Sequence, residues 1–139
     1  MSIKVKYSDV SGGEFQNCVS KIAATSTDGY TAYRINKFVN AVQVLRKKIM
    51  DEFLVLQEKH GKKDEKGALV SPFAATDEEA FEKVAEEFGN SEGQILWSPL
   101  TAKDITGVKI SPREIEVLKP VMDMDTFEQK VPNISQLRA

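Results

Sequence analysis

From Arg34 to His60 the chain contains neither proline nor glycine, and its apolar residues recur every three or four positions. Ile35, Phe38, Val42, Leu45, Ile49, Phe53 and Leu56 are spaced 3, 4, 3, 4, 4 and 3. That rhythm sets them along one side of an α-helix, as a seam with one shift near Glu52. Val39, Val44, Met50, Leu54 and Val55 widen the apolar surface beyond a single stripe. A helix of this kind needs partners on more than one side, so the rest of the chain has to be arranged around it. The expected start lies between Asp28 and Thr31. Lys59 and His60 suit the negative C-terminal end, and Gly61 is the expected stop.

The flanking segments are short. Ile3, Val5 and Tyr7 alternate with polar residues, which predicts a half-buried strand over residues 2–8. Ser11 followed by Glu14 reads as a capping box, opening a helix with Phe15, Cys18, Val19 and Ile22 on one face. After a polar connector, Thr76 with Glu79 reads as a second box, ahead of Phe81, Val84, Ala85 and Phe88; that helix stops at Gly89. Gly93–Trp97 reads as a short strand. Ser111, Pro112 and Glu114 form a third box, and Pro120 ends or kinks the helix that follows. The expectation is an α+β, mostly helical fold: one long central helix, two or three shorter helices, and a small two- or three-stranded sheet. Residues 1–125 form one domain, and 126–139 an extended C-terminal tail.

Composition narrows the chemistry. With 41% apolar and 29% charged residues in 139, the chain is of ordinary globular make-up. A formal charge of −2 gives no global field toward nucleic acid or anionic lipid. No apolar run approaches a membrane span, and the start lacks a signal-peptide pattern. One cysteine excludes an internal disulfide and points to a reducing compartment; one histidine beside it leaves too few ligands for a Cys/His zinc site.

Each reactive residue has a structural account. Cys18 sits among apolar neighbours at helical spacing, far in the chain from the lone His60, so it is a core thiol. Asp77, Glu78 and Glu79 suit the positive N-terminal end of a helix. Arg46, Lys47 and Lys48 are followed four positions after Lys47 and Lys48 by Asp51 and Glu52, which can pair with them on the helix surface. No catalytic, cofactor-binding or metal-ligating residue is assigned. A pair of carboxylates among the 21 Asp and Glu residues stays open, because no pair is singled out.

Three stretches carry a resemblance to a known group. They are the long charged helix YRINKFVNAVQVLRKKIMDEFLVLQEKHGKKDEKG, the acidic TDEEAFEKVAEEF, and LTAKDITGVKISPREIEVLKPVMD. Over about residues 30–123 the chain resembles a family of small proteins of tailed bacteriophages and prophages, often encoded among structural genes. The resemblance implies an accessory or assembly role, in the host cytoplasm or the virion, and carries no catalytic residues.

The expected activity is therefore non-enzymatic: self-association, or docking on a virion or assembly component. The alternative is a soluble inhibitor or adaptor acting on a host protein or nucleic acid, with nucleic acid the less favoured partner. Phe38 and Val39 on the long helix, and Phe127, Val131, Ile134 and Leu137 in the tail, are the expected interface residues.

Overall fold

The computed structural model describes residues 2–25 and 27–130. Strand β1 (Ile3–Lys6) leads into helices α1 (Tyr7–Ser11) and α2 (Gly13–Ala24), and then into the long α3 (Gly29–His60). Helix α4 (Glu78–Gly89) runs back along α3, and β2 (Glu92–Ile95) follows it. Helices α5 (Pro112–Leu118) and α6 (Met124–Lys130) come last, with 3-10 turns at Lys103–Ile105 and Lys119–Val121. The fold is α+β and mostly helical, and its sheet has two strands.

Local chemistry explains the ends of α3. The Asp28 carboxylate accepts the Thr31 amide at 2.9 Å and the Thr31 hydroxyl at 3.0 Å. This satisfies an amide that the first turn leaves without a helical partner. At the other end Gly61 donates to the Gln57 carbonyl at 2.7 Å. A Cβ on Gly61 would lie 2.5 Å from Leu69, 2.6 Å from the Gln57 oxygen and 2.8 Å from Phe73, so only glycine fits there. The box at α5 forms as read: the Glu114 amide donates to Ser111 Oγ at 3.2 Å and the Ser111 amide to Glu114 Oε1 at 3.0 Å.

Four expectations need correction. The first strand stops at Lys6, whose amide donates to the Asp9 carboxylate at 2.9 Å and starts a helical turn. Tyr7 still faces inward, because a helix burying Tyr7 and Val10 continues the strand's apolar side. Ser11 ends α1 instead of capping α2; Gly12 takes the cap, and Glu14 reaches Arg113 at 3.0 Å. The cap of α4 is Asp77, one residue beyond Thr76, whose hydroxyl donates to the His60 carbonyl at 3.3 Å. The second strand runs from Glu92 to Ile95 and not from Gly93 to Trp97. The polar connector 61–75 is held by its own bonds. It doubles back through antiparallel bridges Gly61–Ala75 and Lys63–Leu69, with Asp64 holding the tip amides of Lys66 and Ala68.

The core gathers between α2, the first two-thirds of α3, the sheet and the C-terminal segment. Val10, Phe15, Ile22, Phe38, Val42, Ile95 and Leu118 are all buried in it. One charged pair enters this region: Arg34 Nε donates to Asp104 Oδ1 at 3.0 Å, and Asp104 also accepts the Thr101 amide and hydroxyl. Burial pulls the Asp104 carboxyl upward, but the Arg34 and Thr101 hydrogen bonds outweigh it and hold it below the usual carboxylate range. Leu100 lies alongside Met122, and the Ala102 amide donates to Thr126 Oγ at 3.0 Å.

The domain boundary expected at 125 falls inside α6, which is helical from Met124 to Lys130. Phe127 packs on this chain's own core. Phe38, 1% exposed, is also core, so the folded chain cannot offer it to a partner. Val39 is half-buried against the same core. Val131, Ile134 and Leu137 lie outside the described residues.

Candidate functional site

The antiparallel ladder pairs Ile3 with Ile95, Lys4 with Gln94, Val5 with Gly93 and Lys6 with Glu92. Beyond it, the Tyr7 amide donates to the Ser91 carbonyl at 2.9 Å. Antiparallel ladders alternate bonded and non-bonded pairs, so Val5–Gly93 and Ile3–Ile95 are the bonded ones. The backbone amides and carbonyls of Glu92 and Gln94 therefore point away from β1. Among the described residues no strand pairs with that side of β2.

Helix α3 lies over β2, with Leu45 and Tyr7 filling the space a side chain at Gly93 would take. Its flank and the free edge of β2 enclose a groove of about 800 Å³. Ala41, Val44, Leu45, Leu96 and Trp97 form the apolar part, and Lys37 and Lys48 stand on the helix side. Val44 and Leu96 are more than two-thirds exposed. Among the described residues Glu92 is the one carboxylate lining the groove. Among the described residues neither Lys37 nor Lys48 forms an ion pair; Lys37 lies 5.5 Å over the Tyr33 ring.

A second concavity, of about 590 Å³, runs between α1, α3 and α4 over Ile49, Phe53 and Phe88. Much of its polar rim is already engaged. Gln43 donates to Gln16 at 3.3 Å, Arg46 donates to the carbonyls of Val10 and Gly12, and Lys47 pairs with Asp51 at 3.2 Å. Beside it a hydrogen bond to Glu52 and burial push the Tyr7 phenol up to about 12, so it stays protonated at neutral pH. The basic run Arg46–Lys48 thus divides: Arg46 caps α1, Lys47 pairs on the surface as expected, and Lys48 faces the groove at β2.

The other candidates stand where their structural readings put them. Cys18 is buried and free, its thiol pushed up by burial and by the nearby Glu114 carboxylate, which is the opposite of activation. Glu114 is held down at about 2 by hydrogen bonds from Lys21 and the Ser111 amide. His60 ends α3 with its ring 6.0 Å from Phe81. Asp77 and Glu78 accept amides at the start of α4. Among the described residues no group of three or more His, Cys, Asp or Glu is placed to hold a metal ion, and no helix is long and apolar enough to cross a membrane.

Sequence reading missed the groove. Its walls come from residues 37–48 and 92–97, which the packing of α3 over β2 brings together. Compared with protein-family models, curated proteins and solved structures, the chain matches none.

Proposed function

We propose that this chain is a non-enzymatic accessory protein of a phage or prophage, working by docking on a second copy or on a component of the virion or its assembly. The observation that carries the docking part is apolar surface left open on a well-packed domain. Val44, Met50, Leu54 and Val55 on α3 are 53–69% exposed, and Leu96, just beyond β2, is 68% exposed. Scattered apolar residues are normal on a surface, but here four large ones lie on one helix and a fifth directly beyond the strand packed against it. The phage setting rests on the resemblance of residues 30–123. On this reading the site of action is the host cytoplasm or the particle.

Mass by light scattering tests the reading, on the purified chain alone and mixed with phage structural proteins. The expected result is a mass above the 15.5 kDa of one chain for the chain alone, or a species in a mixture heavier than the structural protein by itself. A monomer in every mixture would overturn it.

A further inference from the structure

We propose that the groove between α3 and the open edge of β2 receives an extended segment of another protein. The segment adds as a third strand and carries an apolar residue with a carboxylate two positions to either side. This inference rests on the docking reading and specifies its chemistry.

Three observations carry it. The amides and carbonyls of Glu92 and Gln94 face outward and offer a strand the hydrogen bonds it needs. Val44, Ala41 and Leu96 give an apolar surface to the side chain that points toward α3. Lys37 and Lys48, both without an ion-pair partner among the described residues, lie on either side of Val44. Eleven residues of helix separate them by roughly 16 Å. In a strand, positions i and i+4 are about 13 Å apart, and the reach of two lysine side chains covers the difference. Glu92 at one end disfavours a third carboxylate there.

Two other occupants fit less well. A second copy adding its own β2 would offer one carboxylate, Glu92, in alternation with Gln94 and Leu96, against two lysines. Residues 131–139 carry Arg138, of the same sign as the two lysines. Their apolar residues Val131, Ile134 and Leu137 are spaced by three, but a strand turns every second residue to one face.

A displayed library of random heptapeptides, selected on the full chain and counter-selected on the Lys37→Glu/Lys48→Glu variant, tests this. The expected enrichment is acid-x-apolar-x-acid. An enriched peptide, synthesised and labelled, should lose tenfold or more in affinity on that variant and on Val44→Glu. All three positions belong to a solvent-facing groove wall, and circular dichroism checks that the variants stay folded. Bound peptide should slow hydrogen exchange of the Gln94 amide at least tenfold. An enriched set without that pattern, equal binding to the variants, an unprotected Gln94 amide, or no enrichment would each overturn the proposal. If any of these occurs while light scattering still shows assembly, the groove falls and the docking reading stands.

Discussion

The two ends of α3 are one helix in sequence and two environments in space. Up to Ile49 its inward residues, Ile35, Phe38, Val42, Leu45 and Ile49, are all buried among α2, the sheet and the C-terminal segment. Beyond Met50 the same heptad-like spacing continues through Phe53 and Leu56, yet no apolar residue of that stretch is fully buried. Its cover is a cluster of half-exposed rings. Phe53 stacks on Phe88 at 5.7 Å, Phe81 lies between Phe53 and Phe73, and His60 closes the end. Periodicity says which side of a helix is apolar. How deeply that side is covered depends on how many elements converge on it.

The same residue type can be removed at both ends of α3. Phe38→Ala should cost about 3–5 kcal/mol in chemical denaturation, the usual loss for a fully packed ring. Phe53→Ala should cost about 1–2 kcal/mol, because its neighbours already share their surface with water. Equal losses would erase the distinction.

The next effect belongs to the inner end alone. Asp104→Ala strands the Arg34 guanidinium and should cost about 2–3 kcal/mol, as for a hydrogen bond to a charged group. The same pair predicts an acid limb. Asp104 and Glu114 both titrate lower in the folded chain than unfolded, so their stabilisation is complete above their unfolded values near pH 4. It is lost as pH falls, through about 2 for Glu114. Melting temperature against pH should fall across that window, and less steeply in Glu114→Gln. An unchanged slope would show that the Lys21–Glu114 contact does not survive in solution.

At the outer end the expected effects are smaller. Gly61→Ala should loosen the 61–75 turn-back by about 1–3 kcal/mol, since its Cβ collides with backbone as well as side chains. Native-state hydrogen exchange should then show faster opening at residues 53–75 than at 35–49. Leu54→Ser, on the open face, should stay within about 0.5 kcal/mol. A large loss there would mean that the face is covered in solution, and would itself report self-association.

The sequence made the helix ends and faces legible wherever one local bond decides them. Asp28, Gly61 and the Ser111–Glu114 pair are such places, because a cap needs only residues within four positions. Ser11 and Thr76 show the limit: each is a competent cap, but Gly12 and Asp77 take the position once tertiary contacts claim their neighbours. The apolar residues from Phe127 to Leu137 have no clean period in the sequence, yet Thr126 and Phe127 are drawn into helix α6 by contacts to Ala102 and the core. The groove was legible nowhere, since Val44 and Leu96 are far apart in sequence and meet only when α3 packs over β2.

Strand β1, on the far side of β2 from the groove, has a consequence in time. Its only partner strand, among the described residues, spans positions 92–95, so the pairing of Ile3 with Ile95 closes a loop most of the chain long. Contacts so distant in sequence form late, after more local ones have reduced the cost of closing the loop. On the ribosome the first strand emerges early and waits, while α3 can already wind. The sheet cannot close until residue 95 has left the exit tunnel, so a ribosome paused before that point holds helices without the edge to which a partner could bind.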